Sequence, residues 1–295
     1  VRYIKDRAAT APGQPFFLYL PLNSPHTPIE PNKEFQGRSG INAYADFTMQ
    51  TDAAVGEVLA ALAETGAAAN TLVLFTSDNG CSPSANYEEL EAHGHNPSYH
   101  FRGTKADIFE GGHRVPFVAR WPGRVQPGSQ CDAAICLTDL MATCAEIIGQ
   151  PLPPEAGEDS ASLVGLLSGK NQALREATVH HSINGSFAIR QGPWKLILCP
   201  DSGGWSQPRP GSQQAAGLPP VQLYNLAEDV GEKNNLEAQH PEIVARLRAL
   251  LDRYVSEGRS TPGATQKNDR PVDTAPRASQ IPKAKAAKKA RPQKQ

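Results

Sequence analysis

The sequence predicts an α/β protein: a mainly parallel sheet sandwiched by helices, followed by a small antiparallel sheet with one packed helix. Three observations predict it. Apolar runs at residues 16–22 (FFLYLPL), 71–75 (TLVLF) and 116–121 (PFVARW) read as strands, and the second, continuous and rich in β-branched and aromatic residues, is short enough to be buried on both faces of a parallel sheet. A helical pattern lies between the first two runs. From about residue 175 the texture changes to short strand-like runs separated by turn residues.

In chain order, the run at 16–22 reads as a core strand leading into a loop stiffened by Pro21, Pro25, Pro28 and Pro31. His26 sits between two of these prolines, which restricts where its imidazole can go. Residues 43–65 place Phe47, Thr51, Val55, Val58, Leu59 and Leu62 at helical spacing, with Gly66 as C-cap. A right-handed crossover through that helix would put the loop of His26 and the loop after residues 71–75 on one rim of the sheet. Residues 138–149 form an amphipathic helix between Thr138 and Gly149, followed by a Pro-rich loop and a short helical piece at 162–169. Residues 177–183, 186–198 and 221–226 read as strands, with Gln191 and Gly192 turning a hairpin. Residues 240–258 form one helix with Ile243, Leu247, Leu250, Leu251 and Tyr254 on a single face. The expected organisation is a larger α/β part over 1–170, a small antiparallel sheet and helix over 171–265, and a disordered tail over 266–295.

Composition narrows the class. At 295 residues and 39% hydrophobic content the chain can bury a full core, and it has no apolar run of the roughly 18 residues that a membrane helix needs. The net charge of −1 conceals a split, because residues 266–295 hold nine Lys or Arg against two Asp. Such a tail fits either a solvated terminus or a weak polyanion contact, and nothing points to specific nucleic-acid binding. Five cysteines lack a paired Cys-x-x-Cys spacing and fix neither disulfides nor compartment. The first residues carry no signal-peptide pattern and no initiator Met.

Candidate chemistry concentrates between residues 71 and 121. Ser77, Asp78, Asn79 and Gly80 end an apolar run, and Asp and Asn oxygens are hard ligands suited to Ca²⁺ or Mg²⁺. An Asx-turn closing a strand accounts for the same tetrapeptide. Arg102, Gly103, Thr104 and Lys105 combine a permissive glycine with a mobile positive charge, or simply end in a surface lysine. His93, His95 and His100 with Glu88, Glu89 and Glu91 lack the spacing of a zinc site and read as a polar loop in which His95 could touch substrate. Glu110 and Arg114 read as scaffold, while His113 is open.

The ordered set Pro25-His26-Thr27-Pro28, Ser77-Asp78-Asn79-Gly80, Arg102-Gly103-Thr104-Lys105 and Glu110-Gly111-Gly112-His113-Arg114-Val115-Pro116 resembles the sulfatase family of formylglycine-dependent arylsulfatases. Residues 223–226, Leu-Tyr-Asn-Leu, are similar to a strand of that family's carboxyl-terminal subdomain. The resemblance implies part of an alkaline-phosphatase-like fold and a sulfuric ester hydrolase acting on an aryl sulfate or a sulfated carbohydrate. It implies that Asp78 and Asn79 are two ligands of a Ca²⁺, that Lys105 contacts the sulfate and leaving oxygen, and that His26 is proton donor or sulfate contact. Cys81-Ser82-Pro83-Ser84-Ala85 approaches the family's formylglycine motif but has Ala85 where the motif requires Arg, and follows the metal-binding pair directly, so Cys81 is read as a decoy. The formylglycine Cys, its modifying enzyme's target, and the remaining Asp, Lys and His ligands are expected upstream of residue 1. The chain is therefore expected to be the carboxyl-terminal portion of an exported parent, with little turnover alone. A phosphoric ester or phosphonate hydrolase of the same superfamily, and a non-catalytic binder of sulfated polysaccharide, are the alternatives.

Overall fold

A computed structural model describes residues 1–170 and 172–277. Its first part runs through helix α1 (Arg2–Thr10), helix α2 (Ala43–Glu64), strand β1 (Val73–Thr76), helix α3 (Tyr87–Ala92), the single turn α4 (Glu110–His113), strand β2 (Phe117–Arg120), helix α5 (Asp139–Ile147) and the short α6 (Val164–Leu167). The second part holds strands β3 (Thr178–His181), β4 (Phe187–Gln191), β5 (Trp194–Ile197) and β6 (Gln222–Asn225), then helix α7 (Pro241–Glu257).

The mixed α/β class holds, but the expected mainly parallel sheet does not form among the described residues. β1 pairs with β2 in antiparallel register, Val73 opposite Arg120 and Thr76 opposite Phe117. The second sheet, in the order β3-β4-β5-β6, is antiparallel throughout. Residues 16–22 form no strand, and Phe17 and Tyr19 are each 76% exposed. The physical reason is that an apolar run reports a demand for burial and not the direction or presence of a hydrogen-bonding partner. Only Phe16 of that run is anchored, packing with Ile4 of α1, Val58 and Leu62 of α2 and Val73 of β1.

α2 starts as its sequence suggests, with the Asn42 side chain accepting from the Ala45 amide, and it ends at Thr65 followed by left-handed Gly66. Thr138 precedes α5 without capping it, because its hydroxyl donates to the Asp159 carbonyl.

The four-stranded sheet follows the period of two that strands impose. Ile189, Leu196 and Leu223 point to one face, where Leu247, Leu250, Leu251 and Tyr254 of α7 cover them. Ala188, Ile197 and Tyr224 point to the other and bury Ile108 and Phe109. The sheet is thus roofed by a helix on one side and by the chain just before α4 on the other. Fully burying side chains of this size stabilises by about 1.5–3 kcal/mol each, so the segment carrying the candidate site is fixed to the second part by its own core contacts. Residues 266–277, expected to begin a disordered tail, instead lie against this unit: Gln266 donates to Glu257, Asn268 to Val255 and Arg277 to Leu198. The rest of that expected tail, 278–295, lies outside the described residues.

Candidate anion and metal site

Three stretches of backbone meet at the end of β1. The Gly80 amide donates to the Gly112 carbonyl at 3.0 Å, the Lys105 amide to the Cys81 carbonyl at 2.9 Å, and the Gly111 amide to the Arg102 carbonyl at 2.7 Å. Glycine is required here by proximity. A Cβ on Gly80 would run into the Gly111 carbonyl, and one on Gly111 would meet the Gly103 and Arg102 carbonyls. The loops of Asp78 and Lys105 are therefore bonded to each other and to the turn of α4.

Asp78 is exposed, and its carboxylate has no hydrogen bond or ion pair among the described residues. The Asn79 amide nitrogen donates to the Gly80 carbonyl at 3.0 Å, which turns Oδ1 into the free end of that side chain. A carboxylate and an amide oxygen on consecutive residues are hard donors of the kind that a divalent cation such as Ca²⁺ or Mg²⁺ takes as part of a shell of six or more oxygens. Cys81, next in the loop, lies 3.1 Å from the Tyr44 hydroxyl, and burial pushes its thiol up. That environment favours the neutral thiol over the nucleophilic thiolate.

Lys105 is half-buried, and its ammonium has no carboxylate partner among the described residues. Arg102 of the same motif is committed elsewhere. Its guanidinium lies 3.8 Å from the Phe109 ring centroid and donates to the Glu232 carbonyl at 2.7 Å. What shapes the Lys105 loop is Asp107, fully buried, a residue that sequence reasoning passed over. One of its oxygens accepts from the Thr104 amide at 2.7 Å, the other from the Trp205 and Ser206 amides at 2.7 and 3.0 Å. An acid two residues after the lysine was visible in the sequence; its long-range partners were not.

His26 is exposed. Its Nδ1 lies 2.7 Å from the Thr27 carbonyl, so Nδ1 carries the hydrogen and Nε2 is the free nitrogen. No hydrogen bond or ion pair joins the ring to Asp78, Asn79 or Lys105 among the described residues. The connection runs through α2. The Thr51 hydroxyl is 2.9 Å from that of Ser24 in the His26 loop, and Tyr44 on the same helix touches Cys81 in the Asp78 loop. Thr51 and Tyr44 are seven residues apart, two helical turns or about 10 Å, so α2 holds both loops along one side.

Behind these loops lies a buried ion network that the sequence did not disclose. The Lys195 ammonium, fully buried in β5, lies 2.9 Å from Glu110 and 2.8 Å from Glu232. Burial pushes the Glu110 carboxyl up, but Lys195, Arg190 and Arg114 outweigh it and hold the group below the usual carboxylate range. Burial raises Glu232, and the negative charge of Glu110 adds to that despite Lys195. Glu232 also accepts from the Glu110 amide at 2.7 Å, which pins α4 to the sheet. Glu110 and Arg114 are scaffold in this sense, and His113 packs against His180 with ring centroids 4.0 Å apart. His95 stands in an exposed loop with no side-chain partner among the described residues.

Comparison with known proteins bears on the same stretch. The family model described as Sulfatase matches residues 1–150. The chain is 36% identical over 245 residues to an N-acetylgalactosamine-6-O-sulfatase of Bacteroides thetaiotaomicron, covering 81% of this chain and 47% of that protein. It is 32% identical over 265 residues to arylsulfatase A of Homo sapiens, covering 84% of this chain and 50% of the relative. Among solved structures, a protein studied for the metabolism of multiple glycosaminoglycans by Bacteroides thetaiotaomicron superposes with a TM-score of 0.74 at 33% identity, over 85% of this chain and 52% of that one. A sulfatase from Pseudoalteromonas sp. shares the fold, with a TM-score of 0.68 at 22% identity over 86% of this chain and 50% of that one. The chain spans about half the length of the curated relatives it matches.

Proposed function

Because the chain belongs to the sulfatase family, we propose that it supplies one rim of the active site of a sulfuric ester hydrolase acting on an aryl sulfate or a sulfated carbohydrate. A sulfate ester is a stable anion, so its cleavage needs positive charge around the sulfuryl oxygens and a proton for the leaving oxygen. Lys105 suits the first need, because its ammonium is uncommitted and its loop is hydrogen-bonded to the loop of Asp78 and Asn79. His26 suits the second, with Nε2 as the nitrogen that takes up a proton and releases it to the leaving oxygen. Asp78 and Asn79 would hold one side of a Ca²⁺, with further oxygens coming from sequence beyond residues 1–295. Bound there, the cation and the family's formylglycine, made by a dedicated modifying enzyme, would neutralise sulfate charge and supply the nucleophile. On this reading residues 1–295 alone turn over little substrate.

The observation that supports the proposal is that Lys105, half-buried and with no carboxylate partner among the described residues, sits on a loop whose backbone is bonded to the loop of Asp78 and Asn79. Its test is sulfate-ester hydrolysis by the chain joined to the missing half of a relative and co-expressed with a formylglycine-generating enzyme. Lys105→Ala is expected to lower kcat/KM by roughly a hundredfold or more, and Asp78→Ala to weaken Ca²⁺ binding. Unchanged kcat/KM in Lys105→Ala, or faster cleavage of the matching phosphate ester, would overturn it.

A further inference from the structure

We propose that Trp205 is the specificity wall of this site, stacking its indole against the ring that bears the sulfate. The inference rests on the sulfate-ester reading above and adds the residue that would recognise the part of the substrate beyond the sulfate.

The loop between β5 and β6 that carries Trp205 is firmly held. Asp201 and Ser202 are buried, the Gly203 amide donates to Asp201 at 2.8 Å, the Ser202 amide to the Pro208 carbonyl at 2.9 Å, and the Ile108 amide to the Ser202 carbonyl at 2.8 Å. Asp107 then spans the gap between this loop and that of Lys105, taking the Thr104 amide on one oxygen and the Trp205 and Ser206 amides on the other. The Thr104 and Ser206 hydroxyls are 3.5 Å apart. Lys105 and Trp205 are thus next to, or part of, the residues clasped by one buried carboxylate. Approach is so close that a Cβ on Gly204 would meet the Ala106 carbonyl and Asp107.

On this fixed backbone Trp205 remains 39% exposed and its ring enters no aromatic pair or cation–π contact among the described residues. Trp194, by contrast, packs against His240 with ring centroids 5.1 Å apart. A large apolar ring left in water, on a rigid mount tied to the lysine loop, is an arrangement for binding: its position costs the ligand little ordering, and its face suits either an aryl ring or the C–H face of a sugar. Arg209, whose Nε donates to the Trp205 carbonyl at 2.6 Å, fixes the other side of the same residue.

The test is equilibrium binding to the chain by ligand-detected NMR at millimolar concentration, with four probes: inorganic sulfate, ethyl sulfate, 4-nitrophenyl sulfate and N-acetylgalactosamine 6-sulfate. Trp205→Ala is expected to weaken one or both ring-bearing esters by roughly three- to tenfold, with inorganic sulfate and ethyl sulfate unchanged. Trp205→Phe should recover most of the loss, and the ester that responds tells an aryl from a sugar substrate. Ring esters bound by Trp205→Ala as tightly as by the parent chain would overturn the role of Trp205 and leave the sulfate site standing. Equal weakening of all four probes would also overturn it, since that result belongs to a collapsed Lys105 loop. Absence of binding by the parent chain would overturn this inference, and binding of all four indifferent to Lys105→Ala would overturn the sulfate-ester reading with it.

Discussion

At His113 and His180 two imidazoles face each other inside the protein, and neither Nε2 has a hydrogen-bond partner among the described residues. Burial, with the charge of Lys195 nearby, pushes His113 down to about 4. Burial and the neighbouring His113 push His180 well below its ordinary value. An unfolded histidine titrates near 6.5, so between that value and about 4 the unfolded chain binds protons that the folded chain refuses. Stability from this pair is full above about pH 6.5 and is lost as the pH falls toward 4. Melting temperature followed from pH 7 to pH 4 should therefore drop, and His180→Phe should flatten the drop by about one proton's worth; an unchanged slope would assign the acid sensitivity to the carboxylates around Lys195. Residue-level reading of the sequence singled out Asp78, Asn79, Lys105 and His26 as candidates because their short motifs are contiguous. It passed over Asp107, Lys195 and Trp205 because each has a partner far along the chain, 85 positions for Lys195 and Glu110 and 98 for Asp107 and Trp205, where no local spacing can reveal it.

Among the elements, α7 and strands β4 to β6 were legible because both faces of each are decided by nearby residues: Leu247, Leu250, Leu251 and Tyr254 repeat at helical spacing, and Ile189, Leu196 and Leu223 alternate with Ala188, Ile197 and Tyr224. Residues 16–22 were not, since a strand exists only if another strand pairs with it. β5 carries a charge in its interior, Lys195, shared by Glu110 from the turn α4 and by Glu232 from the loop after β6. Removing Lys195 leaves Glu232 buried without its cation and Glu110 with only the longer contacts to Arg190 and Arg114. Lys195→Met is expected to destabilise the fold by about 3–5 kcal/mol, read as a lowered denaturant midpoint at pH 7. A change below about 1 kcal/mol would show that water reaches the two carboxylates.

Across the whole molecule, the expected separation into an α/β part and a small second unit understates how they are joined. Ile108 and Phe109, from the stretch that shapes the Lys105 loop, sit in the core of the second sheet on the face opposite α7. Surface loops usually open locally with little free energy, whereas core strands open only with the global transition. Native-state hydrogen exchange should therefore find the Ile108 and Gly111 amides as slow as those of β4 and β5, and the exposed loop around Tyr99 fast; equal, rapid exchange of both loops would contradict the packing described. The corollary concerns evolution of new specificity: in such a protein the Lys105 loop cannot be remodelled piecemeal, because each backbone change there must be accommodated by a beta layer encoded a hundred codons later.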